Sequence, residues 1–125
     1  LLMRIFSAMI GYPPMPVLML YTIGRKSGAE RSTVMPYVEM DGRLYLIGSN
    51  GAKPRDPLWV ENLRADPQAR IIVARKHFLR RARFLDFASE ERARLWKVAE
   101  TQTSQYTTYQ NSTTRQIPVV ALEPV

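Results

Sequence analysis

Two glycines, Gly24 and Gly28, enclose the short segment Arg25-Lys26-Ser27. Arg31 follows three residues after the second glycine. Glycine adopts backbone conformations that other residues avoid, so this segment can present several backbone N–H groups beside its side chains. Cations, a hydroxyl and free N–H groups together suit an anionic ligand, most naturally a phosphate or carboxylates. A solvated basic hairpin turn would have the same composition, so this segment alone leaves both interpretations open.

Two other regions carry residues that suit a flat ligand. Residues 49–51, Ser-Asn-Gly, follow an apolar run, and such small residues would let a ring approach the backbone closely. Trp59 either supports such a ring or anchors its own helix in the core, as large aromatic side chains commonly do. Tyr106 and Tyr109 share one face of a helical turn because they are three residues apart. Their phenols can line a pocket or donate a proton, although two packing residues would show the same spacing.

The composition excludes several kinds of chemistry. The chain has 125 residues, of which 46% are hydrophobic, and this length predicts a single domain over residues 1–125. It has no cysteine and one histidine, which excludes disulfides, cysteine nucleophiles and zinc sites built on several cysteines or histidines. We expect no metal site, and an enzyme with these side chains would need a borrowed cofactor.

The formal net charge of +7 favours a polyanionic partner, such as nucleic acid, an anionic membrane face or a charged cofactor. Six cations cluster in a predicted hairpin, but no helix-turn-helix, zinc finger or aromatic RNA-binding strand accompanies them. A solvated face is the simpler interpretation, and we expect no nucleic-acid partner. These cations are Arg70, Arg75, Lys76, Arg80, Arg81 and Arg83.

Short apolar and β-branched runs alternate with turn signals along most of the chain. Asp41-Gly42 is a typical hairpin turn, and Lys76-His77 is a second expected turn. Strands joined by hairpins build an antiparallel sheet or small barrel rather than βαβ units. We therefore predict a mainly β (α+β) fold with about six strands, at residues 17–23, 31–40, 43–48, 70–75, 78–87 and 116–122.

Two or three short helices complete the predicted fold. One begins at Asp56-Pro57, with the aspartate as N-cap and the proline at the first helical position. Ser89 caps another, over residues 90–100, which has acidic residues in its first turn. Residues 1–10 are predicted to form the third, which either packs on its own domain or lies on a membrane surface. Charge and prolines make the wider apolar region a poor transmembrane helix.

Taken in order, several short motifs resemble the deazaflavin-dependent nitroreductase family, whose members are small split β-barrel proteins that use reduced coenzyme F-420 (8-hydroxy-5-deazaflavin). Each motif is weak alone, but their joint order and spacing from residue 17 to the C-terminus make the resemblance strong. The matching segments are residues 24–28 with Arg31, then 41–42, 49–51, 57–59, 62–67 and 90–93, Tyr106 with Tyr109, and residues 115–120.

The resemblance implies an FMN-binding-like split β-barrel and a role for each matching residue. The phosphate and oligoglutamate tail would be bound by Arg25, Lys26, Ser27 and Arg31, with Ser32 and Thr33 lining the next part of the site. The deazaflavin ring would be bordered by Ile47, Gly48, Ser49 and Asn50, and the helix beside it would contribute Leu58, Trp59 and Asn62. Tyr106 and Tyr109 would cover the ring and the substrate pocket. Candidates to hydrogen-bond the acceptor as negative charge develops are Ser49, Tyr106 and Tyr109.

The implied activity is hydride transfer from reduced F-420 to a small acceptor such as a quinone or a nitro compound. Two alternatives stay open: a non-catalytic protein that binds and carries F-420 and, with less support, a basic nucleic-acid-binding module. We expect a cytoplasmic monomer or weak homodimer. A peripheral contact with the inner face of the cell membrane through the N-terminal segment also stays open.

Overall fold

One antiparallel sheet dominates the computed structural model, which describes residues 15–125. Its strands pair in the order β2-β1-β5-β6-β7-β4-β3, and every pairing is antiparallel. The predicted mainly β, split-barrel fold is confirmed, with seven strands rather than about six. They are β1 (Val17–Ile23), β2 (Glu30–Pro36), β3 (Val38–Met40), β4 (Arg43–Ile47), β5 (Gln68–Val73), β6 (Lys76–Phe84) and β7 (Val119–Pro124).

The described residues form three α-helices and a short 3₁₀ turn, Asn50–Ala52. The predicted cap at Ser89 is confirmed, since its Oγ accepts a hydrogen bond from the backbone N–H of Arg92 at 3.1 Å. The predicted helix over residues 1–10 lies outside the described residues. The helices are α1 (Leu58–Ala65), α2 (Glu90–Gln102) and α3 (Gln105–Asn111).

The predicted start of α1 is wrong by one residue, since Leu58 rather than Pro57 is the first helical residue. Pro57 is the N-cap residue, and Asp56 makes no capping hydrogen bond to the helix. The Asp56 carboxylate is instead held by two arginines, with Nη2 of Arg64 at 3.1 Å and Nη1 of Arg115 at 2.5 Å. Asp56 binds the arginines rather than capping the helix because a charged guanidinium donor stabilises a carboxylate more than a backbone N–H does.

Several strand boundaries also differ from the sequence prediction: β6 ends at Phe84 rather than at residue 87, and β7 begins at Val119 rather than at residue 116. The predicted strand 31–40 is broken at Tyr37, whose N–H turns to the carbonyl of Pro16 at 3.1 Å. The turn expected at Lys76-His77 lies instead at Ala74 and Arg75, which have φ angles of 50° and 68°. The predicted Asp41-Gly42 turn is confirmed, with φ angles of 54° and 77°.

The two faces of the sheet bury two separate cores. Leu20 of β1 and Ile71 of β5 meet Leu63 of α1 in one core. The other forms beneath α2 and α3, where Tyr45 of β4 packs near Leu95. Strand β7 is buried on both faces, since Val120 joins the first core while Val119 and Ala121 join the second. The apolar character of residues 119–122 follows from this two-sided burial.

A polar network joins α2 to the sheet. Nη2 of Arg83 donates to Oε2 of Glu91 at 2.8 Å, and its Nε donates to Oε1 of Glu123 at 2.5 Å. The hydroxyl of buried Tyr45 donates to the same Glu91 carboxylate at 2.8 Å. The Arg83 hydrogen bonds, followed by that of Tyr45, lower the pKa of Glu91 from 4.5 to about 2.

Glu91→Gln should therefore lower the free energy of unfolding by about 1–3 kcal/mol at pH 7. Because the folded state lowers the Glu91 pKa, its contribution is complete above about pH 4.5 and disappears as the pH falls towards about 2. Urea denaturation of both proteins across this range should show the difference shrinking. Glu90→Gln, an exposed change in the same helical turn, is the matched control. A difference that does not vary with pH would contradict the assignment.

Candidate functional site

A cleft of about 960 Å³ opens between the β1–β2 loop, residues 50–57 and the first turn of α1. Its volume falls in the usual range for sites that hold small ligands or cofactors. Ten of the residues that the sequence predicts for cofactor binding line it together: Arg25, Lys26, Ser27, Arg31, Ser32, Thr33, Asn50, Leu58, Trp59 and Asn62.

The β1–β2 loop is held by its own hydrogen bonds. The Gly24 N–H donates to the Ala29 carbonyl at 2.7 Å, and the Gly28 N–H donates to the Gly24 carbonyl at 2.8 Å. Gly28 has a φ of +74°, which favours glycine at that position. Ser27 Oγ accepts from the Ala29 N–H at 3.1 Å, so the hydroxyl is partly used inside the loop. The N–H groups of Gly24, Gly28 and Ala29 are thus engaged inside the loop.

Asn62 of α1 connects this loop to the sheet. Its side chain is 7% exposed, its Oδ1 accepts from the Arg25 N–H at 3.1 Å, and its Nδ2 donates to Thr22 Oγ1 at 3.1 Å. The Arg25 guanidinium pairs with Glu61 of the same helix at 3.1 Å. Arg25 therefore anchors the loop with both its backbone and its side chain.

Four cations on the cleft lining form no ion pair with any of the described residues. Arg31 makes one contact of hydrogen-bond length, from Nη2 to Ser27 Oγ at 3.5 Å. The other three make no side-chain hydrogen bond within residues 15–125. Their positive charge is left for an anionic ligand. The four are Lys26, Arg31, Lys53 and Arg55.

The remaining residues predicted for the ring do not line this cleft. Ile47 is 6% exposed and belongs to the core under α2. Gly48 fits closely against its neighbours, since an added Cβ would lie 2.9 Å from side-chain atoms of Val60 and Pro118. Ser49 is half-buried and its carbonyl is turned towards Arg115. Their predicted contacts with a ring stay predictions.

The two tyrosines lie on α3, as their spacing predicts. Tyr106 is 6% exposed, and its ring centroid is 6.4 Å from that of Trp96. Burial, and secondarily the charge of Tyr109, raise the pKa of Tyr106 to about 12, so its phenol keeps its proton at physiological pH. Tyr109 is half-buried against the same core. Neither lines the cleft.

Core packing of Trp59 is confirmed, and its support of a bound ring stays a prediction. Trp59 lines the cleft, and it also packs against the core that contains Leu63. Residues 15–125 contain no cluster of three histidine, cysteine, aspartate or glutamate side chains that could hold a metal. No helix in that part of the chain has the length and apolar character needed to cross a bilayer.

Sequence reasoning missed Arg115 as a residue of the site. Its side chain is 12% exposed, and it reaches the segment that carries Asn50, Lys53 and Asp56. The signal in the sequence is slight: one arginine directly before the predicted last strand. Nothing in that position indicates that its guanidinium is buried against a segment 59 residues away along the chain.

Known proteins similar to this chain identify its family. A family model described as F420H(2)-dependent quinone reductase matches residues 3–124. An F420H(2)-dependent quinone reductase of Mycobacterium tuberculosis is 40% identical over 121 residues, which cover 95% of this chain and 79% of that protein.

Two solved structures resemble this one with a TM-score of 0.77. One, described as an F420-H2 dependent reductase, is 35% identical and covers 86% of this chain and 94% of its own. The other, described as a domain-swapped dimer, is 33% identical and covers 96% of this chain and 92% of its own. The resemblance drawn from the motifs is confirmed, and the chain belongs to the F420H(2)-dependent quinone reductase family.

Proposed function

We propose that the cleft holds reduced coenzyme F-420 and that the protein transfers its hydride to a quinone-type acceptor. One observation carries the proposal: four cations without an ionic partner among the described residues line a single cleft in a chain of this family. Bound reduced F-420 supplies a hydride from C5 of its deazaflavin ring. The protein then has to bind, orient and shield the reactants.

The cationic side chains that line the cleft fit this cofactor. F-420 carries a phosphate followed by a tail of carboxylates, and an extended anion of this kind matches cations spread along a cleft. Lys26 and Arg31 lie on the β1–β2 side, while Lys53 and Arg55 lie on the opposite segment. A single phosphate would not occupy all four. The charge distribution therefore favours a long anion over a short one.

Each part of the cleft has a proposed task. Lys26 and Arg31 bind the phosphate and the tail, with Ser27, Ser32 and Thr33 supplying hydroxyl groups. Arg25 acts differently from the other cations, because its guanidinium already pairs with Glu61. We assign it to loop anchoring, with Asn62 as its partner.

The part of the cleft proposed to bind the acceptor is an apolar surface. Leu58 is 71% exposed, and it lines the cleft together with Pro54, Pro57 and Trp59. Such a rim suits a planar apolar molecule, which is the chemistry of a quinone. Ser49, Tyr106 and Tyr109 are proposed to donate hydrogen bonds to the acceptor as charge develops on its oxygen. None of the three lines the cleft in this structure, so the acceptor has to reach past the cleft lining or α3 has to move towards it.

The oligomeric state of the protein and its cellular location are also proposals. We propose a monomer or weak homodimer, and the homodimer is consistent with one related structure that is described as a domain-swapped dimer. A cytoplasmic site of action is proposed as well. Any peripheral membrane contact would involve residues 1–10, which lie outside the described part of the chain. Analytical ultracentrifugation and flotation with anionic vesicles test these points.

A single-turnover experiment separates an enzyme from a carrier. Protein loaded with reduced F-420 is mixed with menadione, and deazaflavin oxidation is followed by absorbance. Oxidation much faster than that of the free cofactor supports the enzyme, whereas a rate at or below it supports a carrier.

Lys26→Ala and Arg31→Ala should each weaken F-420 binding roughly ten- to hundredfold, because each removes a charge-assisted hydrogen bond. The loss should grow as the glutamate tail lengthens. Fluorescence titration measures both effects. Arg94→Ala is the matched control, since Arg94 pairs with Asp41 on the exposed surface outside the cleft. Unchanged dissociation constants in both cleft variants would remove the anion-site assignment.

Each of two variants, Tyr106→Phe and Tyr109→Phe, should lower the rate of hydride transfer to an acceptor and leave the affinity for F-420 unchanged. Losing one hydrogen bond to the developing charge costs roughly ten- to a thousandfold in rate. We expect the larger effect at Tyr109, because Tyr106 is more deeply buried. Stopped-flow measurements with several quinones test this. If both variants match the wild type with every acceptor, the phenols serve packing alone.

F-420 should bind more tightly than FMN at low ionic strength, and added salt should narrow the gap. FMN ends in one phosphate, so it engages fewer of the cleft cations, and salt screens exposed pairs. No comparable activity is expected with NADPH alone. Titrations with the two flavins at several salt concentrations give the measurement. Equal affinities at low salt, or purification with stoichiometric FMN, would contradict the cofactor assignment.

A further inference from the structure

The segment that forms one wall of the cleft is anchored by a residue outside the cleft. This segment, residues 48–56, runs from the end of β4 to the start of α1. Three of its backbone carbonyls accept hydrogen bonds from the Arg115 guanidinium: Gly48 at 3.1 Å, Ser49 at 2.8 Å and Lys53 at 3.1 Å. The Asp56 carboxylate accepts a fourth at 2.5 Å. One side chain thus contacts the wall at both ends and in its middle.

Arg115 is itself held in place. Its backbone carbonyl accepts from Nε2 of Gln110 at 2.8 Å, and its N–H donates to Thr113 Oγ1 at 3.2 Å. Gln110 also accepts from the Ile117 N–H at 3.0 Å, next to the buried start of β7. The guanidinium therefore extends from a fixed backbone. A fixed donor can hold a loop in one conformation without moving with it.

The wall needs such an anchor because its backbone is strained. Asn50, Gly51 and Ala52 have φ angles of 47°, 60° and 64°. Glycine adopts this left-handed region freely and asparagine tolerates it, but alanine does so at a cost. Strained backbone of this kind persists only where surrounding contacts fix it, and it concentrates at functional sites. In this wall the Arg115 hydrogen bonds lie on either side of the strained residues.

The same bonds fix the direction of two peptide N–H groups. In a trans peptide the carbonyl and the following N–H point in opposite directions, and the described residues contain no cis peptide. Since the carbonyls of Gly48 and Ser49 point to Arg115, the N–H groups of Ser49 and Asn50 point away from it. No described residue accepts a hydrogen bond from either N–H group.

We propose that Arg115 is a positioning residue that fixes residues 48–56 and so holds Asn50, Lys53 and Arg55 on the lining of the cleft. The Asn50 N–H, which points away from the guanidinium, is left to donate to a carbonyl or anionic oxygen of a ligand bound there. The inference rests on the proposed function, because it names how one wall of that site is made. It assigns no chemistry to Arg115, which does not line the cleft.

The test combines hydrogen exchange with cofactor binding. Arg115→Lys keeps the charge but cannot reach three carbonyls and a carboxylate at once. We expect exchange of backbone amides in residues 48–56 to accelerate at least tenfold in the cofactor-free protein. The affinity for F-420 should fall at least fivefold. Arg83→Lys is the matched control: it weakens another arginine network, outside the cleft, and should leave both measurements near wild type.

Asp56→Asn provides a second variant in case Arg115→Lys does not fold, since it loosens the same anchor with Arg115 present. The proposal is overturned if exchange in residues 48–56 stays at the wild-type rate. It is also overturned if Arg83→Lys weakens F-420 binding as much as Arg115→Lys. Wild-type protein that binds no F-420 would instead overturn the proposed function, and the exchange data on cofactor-free protein would still decide whether Arg115 anchors the wall.

Discussion

The buried amide of Asn62 is the contact on which the cleft depends most. It joins β1, the β1–β2 loop and α1 by accepting from the Arg25 N–H and donating to the Thr22 hydroxyl. An amide carries both a donor and an acceptor on one rigid plane, so it can satisfy two different buried groups at once. A leucine of similar size would leave a backbone donor and a hydroxyl without partners inside the protein, which costs more than the hydrogen bonds themselves contribute.

The pairing of charges distinguishes several structural cations from those of the cleft. Arg83 joins elements through the carboxylates of Glu91 and Glu123. Buried Arg92 instead joins elements by donating to the Ile117 carbonyl. The cations of the cleft lack such partners within residues 15–125, apart from Arg25. A net charge of +7 gives the sequence an excess of cations, but only the structure shows where the excess is concentrated. Some of it lies on the β5–β6 hairpin, where Arg75 and Lys76 are exposed, and a solvated face remains the simpler interpretation there.

The parts of the fold that sequence predicted are those fixed by local chemistry. Asp41-Gly42 and the Ser89 cap depend on a few neighbouring residues, and both are confirmed. The turn at Ala74 and Arg75 has no glycine or asparagine to indicate it; the pairing of β5 with β6 places it there. Asp56 is a second case in which a distant contact overrides a local signal. Its carboxylate is suited to cap α1 but binds Arg115, which is far along the chain. Of the site, the cleft-lining motif residues were predictable, Arg25 and Asn62 among them, whereas the anchoring roles of these two residues and the place of Arg115 were not.

The two walls of the cleft are fixed by the same means. Asn62 holds one wall through a backbone N–H, and Arg115 holds the other through three backbone carbonyls. Bonds to the main chain do not depend on which side chains the walls carry. Lys26, Lys53, Arg55 and Leu58 can therefore change without moving the backbone that presents them. The backbone geometry of the cleft therefore depends on two polar residues that support its walls through the main chain, whereas its charge depends on the side chains that line it.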